Sequence, residues 1–147
     1  MKKQFYIGNV PMGDGSVSIQ SMTNVPFTRF DQLKTQALAL EKEGCQIIRA
    51  SVPDQLSAER FADLKKAISV PLVADIHFDY RLALASIEAG ADKIRINPGN
   101  IGAEHIKEVA HAAYKKNIPI RVGVNAGSLE KDLLAKFGPP CAEALAL

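Results

Sequence analysis

The sequence predicts an α/β protein with a parallel sheet, and more narrowly an incomplete (β/α)8 TIM barrel of about five strand–helix units. Three observations predict it. Short β-branched runs alternate with longer segments of helical spacing. Strand centres recur roughly every 25 residues, the length of one strand–loop–helix–loop unit. The polar residues within the strands share one face and fall late in each strand.

The strands are expected at Val17–Met22, Gln46–Val52, Pro71–His77, Lys93–Asn97 and Pro119–Asn125, each flanked by Pro, Gly or Asn. Helices are expected over Phe30–Glu43, Ala58–Ile68, Tyr80–Ala89 and Ala103–Lys116. Gly44 and Gly90 stand where helices end, and Ser57 and Asp79 where they begin. Ser128, followed by Leu129-Glu130-Lys131-Asp132, caps a fifth helix ending near Gly138. Lys3–Pro11 reads as an extra hairpin before the first barrel strand.

Side-chain alternation separates a barrel from an open doubly wound sheet. Ser18, Gln20 and Met22 share a face, as do Arg49 and Ser51, Asp75 and His77, Lys93, Arg95 and Asn97, and Arg121 and Asn125. The other face carries Ile19, Ile48, Val52, Leu72, Ile76, Ile94, Ile96, Val122 and Val124. A doubly wound sheet buries both faces and does not tolerate such a row of charges, whereas a barrel opening to a ligand at its C-terminal mouth does. A complete barrel takes about 250 residues. A chain of 147 residues is therefore expected to be an incomplete part of a barrel domain.

Composition narrows the function. With 47% hydrophobic residues the chain can bury one core. Eighteen Lys and Arg against 16 Asp and Glu give no nucleic-acid or membrane-surface footprint. No apolar run approaches a membrane span of about 20 residues, and the polar, Gly-rich start does not read as a signal peptide. The two cysteines form no CxxC pair and are too few for a disulfide framework or an iron–sulfur cluster, so a reducing, cytoplasmic setting is expected. Cys45 reads as a core residue and Cys141 as an incidental exposed thiol; His105 and His111 read as surface residues on a helix.

The candidate site follows from the polar face. Arg49, Arg95 and Arg121 occupy corresponding faces of three strands, and Asp75 is the one carboxylate offered to them. Like charges gathered in a low-dielectric interior need an anion, and guanidinium forks match phosphate oxygens bidentately. A multiply charged phosphate ligand is the natural counter-ion. Asp75 and His77 could also begin a metal site, but no third ligand of similar quality is visible, so no metal is expected and the favoured role is hydrogen bonding to ligand hydroxyls or orienting an arginine. The loops Asn97-Pro98-Gly99-Asn100 and Asn125-Ala126-Gly127-Ser128 precede helices and can present backbone N–H groups to phosphate.

Several strings together resemble one family: Gly8-Asn9-Val10-Pro11, Gln20-Ser21-Met22-Thr23-Asn24, and the long runs Val70–Leu84, Asp92–Gly102 and Ile118–Leu134. The chain resembles 4-hydroxy-3-methylbut-2-enyl diphosphate synthase of the non-mevalonate isoprenoid pathway of bacteria and plastids. The resemblance implies a substrate, 2-C-methyl-D-erythritol 2,4-cyclodiphosphate, that is opened and reduced by two electrons with loss of water. It implies an N-terminal TIM barrel holding the diphosphate and a C-terminal domain with a [4Fe-4S] cluster ligated by three Cys and a Glu. It further implies a homodimer, in which the barrel of one subunit meets the cluster domain of the other, and flavodoxin or ferredoxin as electron donor.

Matching substrate-binding positions are Gln20, Met22, Arg49, Asp75, Arg95, Asn97, Arg121 and Asn125, with His77 a lesser candidate. The chain departs from the family at Val25–Asp31, where Arg29 stands at the position of a family Asp. The later barrel strands and the cluster domain are absent, so the chain is expected to be an N-terminal fragment with no catalytic residue or cluster ligand of its own, inactive alone and prone to associate through open sheet edges. Two other readings remain: a phosphate-handling barrel of the dihydropteroate-synthase type, and a non-catalytic half-barrel.

Overall fold

The computed structural model describes residues 4–123, 131–139, 141, 142 and 144. The chain opens on an antiparallel hairpin of β1 (Phe5–Ile7) and β2 (Val10–Met12), with Ile7 paired to Val10. Gly8 sits at φ +56°, the left-handed conformation that a two-residue hairpin turn needs at its first position. The hairpin is the one expected from Lys3–Pro11.

Five parallel strands follow: β3 (Gln20–Met22), β4 (Ile47–Ser51), β5 (Leu72–Asp75), β6 (Lys93–Ile96) and β7 (Ile120–Val122). They lie in sequence order across one sheet. A doubly wound sheet reverses its order at a switch point, so an unbroken order is the wall of a partial barrel. The connecting helices are α1 (Phe30–Lys42), α2 (Gln55–Ala67), α3 (Tyr80–Glu88), the short α4 (Pro98–Ile101) and α5 (Ala103–Lys115), with α6 (Lys131–Phe137) after β7.

The apolar face read from the strands is the helix-facing one. Ile48, Val52, Leu72, Ile76, Ile94 and Ile96 are all buried there, against Leu33 of α1, Phe61 and Leu64 of α2, Ile87 of α3 and Val109 of α5. A second, smaller core lies on the opposite face. Ile47 of β4 and Val73 of β5 pack there with Ile7 and Val10 of the hairpin, and Met12 covers them. The hairpin thus closes the N-terminal end of the barrel wall. Its turn is seated closely: a Cβ at Gly8 would lie 2.7 Å from Cγ of Pro71.

Four local expectations are corrected. The first strand is shorter than Val17–Met22; Val17 and Ile19 are exposed, and the Ile19 N–H donates to the Gln46 side-chain Oε1 (2.9 Å), outside the strand ladder. The second helix begins at Gln55, not Ala58, because Asp54 is its cap: Asp54 Oδ1 accepts from the backbone N–H (2.8 Å) and hydroxyl (2.7 Å) of Ser57. Ser57 is therefore the bonded partner of the cap. The segment after β6, expected to be a loop, closes into α4 because Asn97 caps it and Pro98 presets its first turn. Cys141 is half-buried where an exposed thiol was expected. Asp79, Gly44 and Gly90 stand at helix ends as read, both glycines at φ +92°. The Ser128 cap lies outside the described residues.

Candidate anion-binding site

Strand register builds the site in two rows on the inner face of the wall. Met22, Arg49, Val73 and Lys93 stand side by side in the first row, and Ser51, Asp75, Arg95 and Arg121 in the second. The second row lies toward the C-terminal ends of the strands, where barrel enzymes place their chemistry, and the first row one step nearer their N-terminal ends, with Lys93 the first residue of β6.

Asp75 is the hub of the site and is wholly buried. Its Oδ2 accepts from Arg49 Nε (3.1 Å) and Nη2 (2.5 Å), and its Oδ1 accepts from Arg95 Nη1 (3.3 Å). His77 lies two residues beyond the end of β5, in the bend that follows it and not in the strand expected to reach it, and places Nε2 3.2 Å from the same carboxylate and Nδ1 3.5 Å from Arg95 Nη1. Arg95 is buried, whereas Arg49 and His77 reach partly into the open mouth. Each guanidinium spends only part of its five-donor fork on Asp75. The rows hold four cations, Arg49, Lys93, Arg95 and Arg121, against one carboxylate.

Lys93 registers that surplus. Burial pushes its ammonium pKa below the ordinary lysine value, and the positive charges of Arg121 and Arg49 push it further the same way. A ligand anion would relieve all three.

The remaining expected site residues are placed unevenly. Gln20 lies one step nearer the N-terminal end, beside Ile47, and is exposed. Met22 stands beside Arg49 and is 41% exposed, open to the mouth. Arg121 neighbours Arg95 on exposed β7. Asn97 is buried, and its Oδ1 accepts from the Gly99 N–H (3.2 Å) as the cap of α4. Asn125 and its loop lie outside the described residues. Among the described residues no group of three or more His, Cys, Asp or Glu side chains is arranged to hold a metal ion.

The divergent segment after β3 borders the mouth. Gln36 of α1 clamps it by donating to the Asn24 side chain (2.7 Å) and accepting from the Asn24 N–H (3.1 Å). Phe27 is buried against Phe61, and Arg29 ends a single 3-10 turn on the surface. A groove of about 540 Å³ runs from Met22 and Ser51 between Val25, Pro26 and Pro53. Two residues that touch the site's electrostatics or packing are missed by sequence reasoning as site residues. Lys93 reads there only as a member of the polar face. Gly123 has no side chain, so residue chemistry gives it no signal.

Comparison with known proteins agrees with this geometry. A family model described as the GcpE TIM-barrel domain matches residues 2–147. The 4-hydroxy-3-methylbut-2-en-1-yl diphosphate synthase (flavodoxin) of Cronobacter sakazakii is 56% identical over 145 residues, covering 97% of this chain and 39% of that protein. The enzyme of the same name from Aliivibrio fischeri is 56% identical over 144 residues, with the same shares covered. The chain therefore spans about two fifths of the length of these relatives.

Among solved structures, dihydropteroate synthase from Xanthomonas albilineans in complex with 7,8-dihydropteroate superposes with a TM-score of 0.64 at 16% identity, covering 91% of this chain and 55% of that one. The N-acetylmannosamine-6-phosphate 2-epimerase from Clostridium perfringens gives 0.53 at 16% identity, over 84% and 58% of the two chains. At such identities the likeness is one of fold. The family match, covering nearly the whole chain, agrees with the unbroken strand order and the charged inner face: the chain belongs to the GcpE TIM-barrel domain family.

Proposed function

We propose that residues 1–147 are the substrate-holding part of a 4-hydroxy-3-methylbut-2-en-1-yl diphosphate synthase, and that the two rows of the inner face bind the diphosphate of 2-C-methyl-D-erythritol 2,4-cyclodiphosphate. The observation that carries this is the cation surplus around Asp75: two buried or half-buried guanidiniums are oriented by one carboxylate and keep donors to spare. Asp75 holds Arg49 and Arg95 in fixed directions, so the N–H groups that they do not spend on Asp75 would be oriented for phosphate oxygens before the ligand arrives. Arg121 and Lys93 extend the positive field along the strand row. Gln20, Met22, His77, Asn97 and Asn125 complete the proposed substrate contacts, with His77 able to reach ligand hydroxyls at the mouth.

The overall reaction would consume two electrons and two protons, open the cyclic diphosphate and release water. The residues of this chain do not fit a [4Fe-4S] cluster. The sequence has two cysteines, and the Cys45 thiol is buried against the Ile47 carbonyl oxygen (3.0 Å). Cluster ligands are therefore proposed to come from outside residues 1–147. Flavodoxin, which the relatives' names specify, is the proposed donor. No helix among the described residues is long and apolar enough to cross a membrane.

Calorimetric titration of the cyclic diphosphate tests the reading. Arg49→Ala, Arg95→Ala and Arg121→Ala are each expected to weaken binding by about 1.5–3 kcal/mol, the worth of a charge-assisted hydrogen bond. Unchanged affinity in all three variants would sink the proposal.

A further inference from the structure

We propose that Gly123 is a positioning residue for Arg95: the guanidinium of Arg95 occupies the space a side chain at 123 would fill. The inference rests on the diphosphate reading above and adds a residue to it. Gly123 follows β7, and its N–H donates to the Ile96 carbonyl (2.9 Å), continuing the ladder with β6. By alternation it shares the inner face with Arg121, two residues earlier. A Cβ built at 123 would lie 2.7 Å from Nε, 2.8 Å from Nη2 and 3.1 Å from Cζ of Arg95. These contacts are with the guanidinium, the far end of a flexible side chain, so the head gives way in direction rather than the strand in position.

The same guanidinium is held from the other side. Its Nη1 donates to Asp75 Oδ1 at 3.3 Å and lies 3.5 Å from His77 Nδ1. Arg95 is thus fixed between a carboxylate and a bare stretch of backbone, with almost no exposure. Adding one methyl group at 123 requires a shift, and the guanidinium is the group free to make it, turning away from 123 while Asp75 holds its Nη1 from the other side. Gly123 is not among the glycines at positive φ, so alanine there adds no backbone strain and the substitution reports on the contact alone.

The charge of Arg95 survives in a Gly123→Ala variant; only its direction changes. A bidentate fork that no longer faces the anion loses most of its value as a phosphate ligand. Gly123→Ala is therefore expected to weaken binding of inorganic pyrophosphate to the intact protein by about tenfold or more, the scale of one lost charge-assisted hydrogen bond.

A double-mutant cycle with Arg95→Lys separates positioning from general damage. Lysine has no fork to collide with residue 123. Gly123→Ala should therefore cost about tenfold when Arg95 is present and less than about threefold when it is combined with Arg95→Lys. Equal losses with and without Arg95→Lys would overturn the inference. The second readout needs no ligand: the Arg95 Nε–Hε resonance in a proton–nitrogen correlation spectrum, identified by its loss in Arg95→Lys, should shift in Gly123→Ala. An unmoved resonance would also overturn it. If the unsubstituted protein fails to bind pyrophosphate, the diphosphate reading falls, while the resonance and the same cycle read in thermal unfolding still decide whether Gly123 sets Arg95.

Discussion

The two ends of the inner barrel face are built from the same strands and differ in almost every physical respect. At the N-terminal end, Ile47 and Val73 are buried under the hairpin residues Ile7 and Val10. Two residues further along each strand, half-buried Arg49 and buried Asp75 occupy the same face as an ion pair. The lower end is closed by a plug supplied before the first barrel strand; the upper end holds unspent charge. A strand repeats its facing every two residues, so one step of that period converts a packed layer into a binding layer. The lower end is packed for stability, while the upper end carries the mutual repulsion of Lys93, Arg121 and Arg49.

The largest expected effect comes from the carboxylate that makes the upper end tolerable. Asp75→Ala leaves Arg49 and Arg95 without their shared partner, and removing one member of a buried charge network costs about 3–5 kcal/mol. Urea unfolding should show that loss, and saturating pyrophosphate should restore part of it by supplying another anion. A variant as stable as the parent would mean that the arginines are solvated and that the upper end is not a buried network.

The lower end should respond to packing alone. Ile7 is wholly buried, so Ile7→Ala should cost about 3 kcal/mol in stability, within the range for cavity-forming core truncations. Affinity for pyrophosphate should change less than about twofold, because Ile7 packs in an apolar cluster with Val10, Ile47 and Val73. A large affinity loss would show the two ends to be mechanically coupled and break the division drawn between them.

Side-chain fidelity distinguishes the arginines within the upper end. Arg49 gives Asp75 two donors from one edge of its fork, and Arg49→Lys can keep the charge but not that geometry. Pyrophosphate affinity should fall by about 1–2 kcal/mol, nearly as far as in Arg49→Ala. Full recovery by lysine would show that the site reads charge and not direction.

How much of this is legible in the sequence depends on which signal each residue carries. Parity along the strands separates Arg49, Asp75 and Arg95 from Ile48, Ile76 and Ile94, because period-2 facing is imposed by the backbone. Sequence also locates the hairpin, but not that its Ile7 and Val10 cover Ile47 and Val73, since that contact joins segments far apart in the chain. The start of α2 reads as Ser57 because Ser and Asp are both good caps three residues apart; the hydrogen bonds select Asp54. Its carboxyl pKa is lowered by those same Ser57 bonds. Gly123 is illegible because its contribution is the absence of atoms. Asn97 carries a polar signal, yet α4 uses its oxygen as a cap.

The smallest expected effect tests the unspent charge directly. Lys93 has its pKa lowered by burial first and by Arg121 and Arg49 next, so the folded protein binds that proton less readily than the unfolded chain. The sign follows from proton linkage. Below the folded-state pKa the ammonium is present in both states and its penalty is complete. As pH rises through that value toward the ordinary 10.5, the folded state sheds the proton first and the penalty fades. Lys93→Met removes the charge and keeps the length of the side chain. At neutral pH the variant should be the more stable protein, and the gap should narrow as pH is raised. Saturating pyrophosphate should narrow it too, because the anion stabilises the ammonium. Chemical denaturation of both proteins across this pH range, with and without pyrophosphate, measures all three trends. A gap insensitive to both pH and anion would place Lys93 outside the field of Arg49 and Arg121, and reduce the upper end to Asp75 and its two arginines.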